Sequence, residues 1–247
     1  MTDLTARAET LRGLHSGEML VLPNVWDAAS AEVVAEAGFP AIATASAAVS
    51  AMLGFPDGEG APWQEMFAAA GRVAHAVSVP VTVDAEAGYG LAPREFVDRL
   101  LETGAVGCNL EDTDHRGGGL VDADEHAQRL ADIRAAAADA GVQIVVNARV
   151  DAFLGDAGIP EPDRLAETIR RGRLYRDAGA DCVYPIGVRG KEDLAALVIE
   201  LACPVNGNTG GDLDLATLRE LGVARVSYGP RFYRAALADF KSAIEKL

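Results

Sequence analysis

"ETGAVGCNLED", residues 102–112, compresses a complete structural joint. A helix end meets Gly104, an apolar run follows, and the run closes on Glu111 and Asp112. Glycine just past a helix is the favoured left-handed cap, and short apolar runs bounded by such stops read as buried strands. "EAGFPAI" (36–42), "DAGADCV" (177–183) and "ELGVARV" (220–226) repeat the joint. The chain is therefore expected to be built from repeated strand–helix units, without a strict sequence repeat.

Working outward, eight β-like runs alternate with helical patterns. The runs are "MLVLPN" (19–24), "AIATAS" (41–46), "PVTVDAE" (80–86), "AVGCNLED" (105–112), "VQIVVNARVD" (142–151), "DCVYPIG" (181–187), "CPVNGN" (203–208) and "VARVSYG" (223–229). Helices are expected near 28–37, 63–77, 93–103 (opened by Pro93), 123–140, 162–178, 191–201 and 214–221, and across "RFYRAALADFKSAIEKL" at the end. Eight such pairs in 247 residues predict an α/β fold, a (β/α)₈ TIM barrel forming a single domain over 1–247. A doubly wound open sheet is the alternative, but no GxGxxG follows the first strand.

Composition narrows the function. The chain is 49% hydrophobic with 6% aromatics, and its formal charge of −15 argues against nucleic acid or an anionic membrane as partner. A small anionic substrate remains compatible, because a local arginine and helix N-termini bind one. No run approaches a membrane span, and "MTDLTARAETLRG" has no apolar signal core, so a cytoplasmic protein is expected. Cys108, Cys182 and Cys203 are widely spaced among apolar residues and read as buried thiols.

Strand alternation assigns faces. Thr82, Asp84 and Glu86 share one, as do Asn109 with Glu111, Asn147 with Arg149 and Asp151, and Asn206 with Asn208. All lie at C-terminal strand ends, the rim that carries active sites in barrels. Asp84, Glu86 and Glu111 offer hard oxygens only, a set suited to Mg2+ or Mn2+, often held through waters. Arg149 fits as a clamp for a carboxylate or an enolate oxygen; the plainer role is an ion pair with Asp151 or Glu111. His115 and Arg116 stand out in the glycine-bearing loop 113–124. His115 is either a general acid/base or a solvated loop residue.

These pieces bring a resemblance. "PNVWDAASAEVVAEAGFPAI" (23–42), "SAAVSAMLGFPD" (46–57), "VTVDAEAGYG" (81–90), "GAVGCNLED" (104–112), "NARVDAF" (147–153) and "GADCVYP" (179–185), in this order, resemble the isocitrate lyase/phosphoenolpyruvate mutase superfamily over nearly the whole chain. The resemblance implies a Mg2+-dependent barrel that makes or breaks a C–C or C–P bond of a 2-oxo or 2-hydroxy acid through an enolate-like intermediate. By position, Asp84 would be the main metal-side carboxylate. Glu86 and Glu111 would act mostly through waters, with Asp57 nearby. Ser46 and the backbone of Ala47 and Ala48 would bind a substrate carboxylate, helped by Trp26, Asp27 and Asn208, and Arg149 would hold the enolate oxygen. For Trp26 a packed aromatic at the barrel mouth is the alternative. The resemblance also implies a homo-oligomer, a dimer or tetramer, often with an exchanged C-terminal helix.

The chain departs from the pattern too. The lyases' K-x-C-G-H loop is replaced by "EDTDHRGGGLVDADEH" (111–126), Glu86 stands where aspartate is usual, and Ile186 where the lyases often have glutamate. The expected activity is cleavage of a C–C bond in a small 2-hydroxy or 2-oxo carboxylate. C–P chemistry (a mutase or phosphonopyruvate hydrolase) and a non-catalytic ligand-binding barrel are the alternatives.

Overall fold

The computed structural model describes residues 2–247. In chain order it contains α1 (Thr2–Gly13), β1 (Leu20–Leu22), β2 (Asn24–Val25), α2 (Ala28–Glu36), β3 (Ile42–Thr44), α3 (Ser46–Leu53), α4 (Trp63–Ala76) and β4 (Val81–Asp84). Then come α5 (Pro93–Glu102), β5 (Gly107–Glu111), α6 (Ala123–Asp139), β6 (Val145–Val150), α7 (Arg164–Asp177) and β7 (Cys182–Pro185). The last elements are α8 (Lys191–Leu201), β8 (Asn206–Asn208), α9 (Leu215–Glu220), β9 (Arg225–Ser227) and α10 (Arg231–Ile244).

All strand pairs are parallel. One sheet runs β2-β3-β4-β5-β6-β7 and the other β1-β9-β8. The two share a seam at Pro23, which divides the expected first strand into β1 and β2, since proline has no N–H for a ladder. Asn24 repairs the seam. Its Nδ2 donates to the Thr44 carbonyl at 2.7 Å, and its Oδ1 accepts the N–H groups of Tyr228 and Gly229 at 2.7 and 3.0 Å. On the far side Val183 pairs with Val205, and the Val183 N–H donates to the Pro204 carbonyl at 3.0 Å. The barrel therefore closes, as the eight runs predicted.

The helices match the expected positions to within three residues at each end, and two helices are additions. α1 precedes the first strand and buries only Ala8 and Leu11 among its hydrophobic residues. Leu11 packs so near β5 that a Cβ at Gly107 would stand 2.7 Å from its Cδ2, so only glycine fits there. α3 rises directly from the end of β3. The strand interiors (Ile42, Val81, Val83, Val145, Val146, Val183) and the inward helix faces (Phe96, Leu100, Leu130, Ile133, Leu197) form one continuous core. α10 is different: it buries no residue, and Phe232, Leu237, Phe240 and Ile244 are exposed. Among the described residues no helix is long and apolar enough to cross a membrane.

The core also encloses titratable groups. His126 packs edge-on against Tyr175 at 4.8 Å, and burial, followed by Arg129 and Arg171, pushes its pKa down to about 3. His15 is pushed to about 4 by burial and then by Arg225. Both imidazoles are neutral when folded and titrate near 6.5 when unfolded, so the unfolded chain takes up more protons below that value. Their contribution to stability is complete above pH 6.5 and is lost as pH falls toward 4. Stability measured by denaturant should drop over this window by about 1.4 kcal/mol per pH unit for each histidine. His126→Gln is expected to remove one proton's worth of that slope; an unchanged slope would contradict it.

Candidate active site

The rim is assembled from the strand ends outward. Asp84 closes β4. Its Oδ2 accepts both the N–H and the hydroxyl of Ser46 at 2.9 and 2.8 Å, so the carboxylate is locked to the first turn of α3. Its backbone N–H donates to Thr44 Oγ1 at 2.9 Å. The other oxygen, Oδ1, is buried and has no partner among the described residues. An orphaned carboxylate oxygen is costly unless a donor or cation completes it. At the start of α3, the Ala48 N–H turns back to the Ala45 carbonyl at 3.1 Å, while the Ala47 N–H has no acceptor among the described residues.

Glu86 departs from the sequence reading. β4 ends at Asp84, and Glu86 adopts a left-handed backbone with φ 49°, so the alternation that would put it on the face of Asp84 stops before it is reached. Gly88, Tyr89 and Gly90 share this left-handed character with φ 88°, 57° and 68°, a cluster of uncommon conformations at a tight turn. The Glu86 side chain is buried. Its Oε1 accepts the N–H groups of Gly58 and Glu59 at 2.9 and 2.7 Å, and its Oε2 accepts the Tyr89 hydroxyl at 2.7 Å. Burial raises its pKa, and these hydrogen bonds oppose the rise. Glu86 thus anchors the loop carrying Asp57. Asp57 itself is exposed and lines the cavity described below.

Glu111, at the end of β5, meets His115 and Arg149. His115 Nε2 lies 2.6 Å from Glu111 Oε1, and Arg149 Nη1 lies 2.5 Å from Oε2. Burial pushes the Glu111 carboxyl upward while Arg149 and His115 pull it back; the Glu111 hydrogen bond raises His115. Arg149 makes a two-pronged pair with Asp151, Nε to Oδ1 and Nη2 to Oδ2, both at 2.7 Å. Burial opposes its charge, and Glu111 and Asp151 more than restore it, so Arg149 stays protonated. Both plainer partners suggested by the sequence are therefore present at once.

A relay missed in the sequence fixes this geometry. Asp112, fully buried, accepts Tyr175 O–H at 2.6 Å, Arg171 Nη1 at 3.0 Å and the Asp151 N–H at 2.9 Å. Thr113 Oγ1 donates to Asp151 Oδ2 at 2.5 Å. α7 thereby holds Asp151, which holds Arg149. The partners lie 38 and more positions apart in the chain, so only the juxtaposed acids of "LEDT" hinted at them.

Ser46, Asp57, Glu111, Thr113, His115 and Arg149 line a common cavity of about 290 Å³ together with Asp151 and Asp156. Other expected residues lie outside it. Trp26 packs against Tyr233 at 5.3 Å and lines an apolar surface groove with Phe232, which corresponds to its packed-aromatic alternative. Asp27 Oδ1 caps α2 by accepting the Ser30 N–H at 2.8 Å. Asn208 is held at both ends, accepting Tyr184 O–H at 2.9 Å and donating to the Ser227 carbonyl at 2.8 Å.

The donor set can be compared with a divalent ion's needs. Among the described residues no three acid, histidine or cysteine side chains close around one point. The orphaned Asp84 Oδ1 fits a Mg2+ ion bound by one carboxylate and otherwise by water and substrate, the usual habit of that ion. Glu86 Oε2 is engaged by the Tyr89 hydroxyl, and the Glu111 oxygens by His115 and Arg149.

A closed barrel with acids and a buried arginine on its C-terminal rim has its candidate site where barrel enzymes carry theirs. The chain belongs to the phosphoenolpyruvate phosphomutase family, whose model matches residues 11–247, within the wider phosphoenolpyruvate mutase/isocitrate lyase superfamily. A solved Burkholderia cenocepacia structure, provisionally assigned as a phosphonomutase, is 39% identical with a TM-score of 0.89, covering 98% of this chain and 99% of that one. An uncharacterized Mycobacterium tuberculosis protein is 36% identical over 90% of this chain and 82% of its own length. The structure of oxaloacetate acetylhydrolase in complex with its product oxalate is 27% identical with a TM-score of 0.87, covering 99% of this chain and 87% of that one.

Proposed function

We propose that this chain is a Mg2+- (or Mn2+-) dependent lyase that cleaves a C–C bond of a small 2-hydroxy or 2-oxo carboxylate through an enolate. The observation that carries this reading is the cavity lined together by Arg149, the Glu111–His115 pair and Ser46, whose hydrogen bonds hold Asp84 with its Oδ1 buried and unpartnered among the described residues. The likeness to an oxaloacetate-cleaving enzyme seen with oxalate supports it.

When bound at Asp84, the ion would supply Lewis-acid polarisation of substrate oxygens. The chain's own residues do the rest. The Ala47 N–H at the head of α3, a helix start fixed by the Ser46–Asp84 hydrogen bonds, orients the substrate carboxylate. For a 2-hydroxy acid, the hydroxyl proton passes to the Glu111–His115 pair as the C–C bond breaks, that fragment's C–O becomes a carbonyl, and the bond's electron pair is delocalised onto an enolate oxygen that the Arg149 guanidinium stabilises. Arg149 is held rigid by Asp151 and Glu111, so little reorganisation is needed. The proton shared between His115 Nε2 and Glu111 Oε1 is available to quench the enolate carbon.

A panel of 2-hydroxy and 2-oxo acids with Mg2+, assayed for released keto acid, tests the reading. Turnover on a C–C substrate is expected. The identity to the provisional phosphonomutase favours a second reading, C–P chemistry. Phosphate release from phosphonopyruvate, or its interconversion with phosphoenolpyruvate by phosphorus NMR, with no keto acid formed from the panel, would establish that reading instead.

A further inference from the structure

The last strand run, "VARVSYG" (223–229), sets an arginine in the middle of an apolar stretch. In the folded chain Arg225 is fully buried inside the barrel. Such an interior is ordinarily filled by branched apolar side chains. Here Asn109, Asn147, Asn206 and Arg225 form a buried polar layer instead. Arg225 Nη2 and Asn147 Nδ2 both donate to Asn109 Oδ1, at 3.1 and 2.8 Å. Asn147 Nδ2 also donates to Asn206 Oδ1 at 3.1 Å, and that oxygen accepts the Ser227 hydroxyl at 3.0 Å. The layer adjoins the rim: Asn109 is the cross-strand partner of Asp84, and Asn147 stands two residues before Arg149 on the same face.

Arg225 is poorly compensated. It belongs to no ion pair among the described residues, whereas Arg134, Arg149 and Arg171 each have a carboxylate. Its Nε and Nη1 are buried with no acceptor among the described residues. Burial lowers its pKa, and Asp84 is the carboxylate among the groups that oppose this. A guanidinium stays protonated even so. Its field also reaches His15, whose pKa burial and then Arg225 push down to about 4.

A buried charge without a counter-ion is less stable than an apolar side chain of similar volume. The rim supplies a reason for keeping it. Four acids, Asp57, Glu111, Asp151 and Asp156, line the reaction cavity against one arginine, Arg149. An anionic ligand entering there meets an excess of negative charge. A fixed cation one cross-strand neighbour away from Asp84 offsets that excess, and a buried charge is little screened by salt.

We propose that Arg225 is a positioning residue of this site, a buried charge that acts through the asparagine layer and its own field to favour the anionic ligand at the expense of the bare metal ion. The proposal rests on the lyase reading above and adds to that site a residue that does not line the cavity.

Two titrations of the whole chain test it: Mn2+ alone, followed by electron paramagnetic resonance, and oxalate at saturating Mn2+, followed by calorimetry. Arg225→Met leaves Asn109 Oδ1 its bond from Asn147, so the layer survives and the melting temperature should equal or exceed that of the wild type. In this variant oxalate should bind about fivefold or more weakly, and Mn2+ alone about fivefold or more tightly. Loosened packing would weaken both ligands, so the opposite signs mark an electrostatic cause. Arg225→Lys keeps the charge and should hold both affinities within about twofold of wild type. Both affinities unchanged in Arg225→Met, or both reduced, would overturn the proposal. So would failure of Arg225→Met to fold, which would make the charge a structural requirement. A wild-type chain that binds no oxalate with Mn2+ would bring down the lyase reading and this proposal with it, whereas oxalate binding indifferent to residue 225 overturns this proposal alone.

Discussion

Arg149→Ala is expected to abolish oxalate binding and turnover, and also to lower stability by about 3–5 kcal/mol. The structure gives it two buried anions, Glu111 and Asp151, and Asp151 is further tied to Asp112 and Thr113. Deleting the guanidinium leaves both carboxylates without their counter-charge. Denaturant unfolding measures the stability term and titration calorimetry the binding term. Arg149→Lys separates the two: it retains one positive charge and part of the stability, but not the two-pronged geometry, so binding stays weak. Near-wild-type oxalate binding by either variant would remove Arg149 from the chemistry.

Asp84→Asn carries the second large effect, in the opposite pattern. The amide oxygen of asparagine can go on accepting the Ser46 N–H and hydroxyl, so the link between β4 and α3 survives and stability should change by no more than about 1 kcal/mol. The group that Oδ1 presents becomes a neutral amide. Mg2+-dependent ligand binding should weaken about 100-fold or more, since the buried, unpartnered carboxylate oxygen of Asp84 is gone. Calorimetric titration of Mg2+ in the presence of oxalate reads this directly. Wild-type affinity in the variant would mean the ion is held elsewhere.

These two residues show what was legible in the sequence. The strand ends were readable because apolar runs stopped at polar residues in the same phase, and Asp84, Glu111 and Arg149 all occur where that phase placed them. Glu86 was not, because two-residue alternation holds only while the chain stays extended. At φ 49° the backbone has left the strand, and Gly88 and Gly90 were the only local warning. Its carboxylate then serves the 57–59 loop, through partners 27 and 28 positions away.

Local chemistry and distant contacts also compete at the first strand. Asp27 sits three residues before Ser30, a spacing that reads as a helix cap, and capping is what the side chain does. Trp26 packs on Tyr233, which lies too far along the chain for any local pattern to reveal. The helix α3 was missed because "SAAVSAML" directly continues a strand, with no polar cap to announce it. The Asp112–Tyr175–Arg171 cluster depends wholly on α7 folding back over the β5 end, which no spacing in the sequence encodes.

The central claim is that Asp84 and Arg149 form one metal-assisted site for an enolate-like anion, and a single titration tests it most directly. Oxalate is added to the wild-type chain with and without Mg2+ while the melting temperature is followed. With Mg2+ and oxalate at about 100 times its Kd, ligand linkage should raise Tm by roughly 5–10 °C. With the metal removed by chelator, the rise should vanish. A rise of equal size without any divalent ion, or none with it, would contradict the site described here.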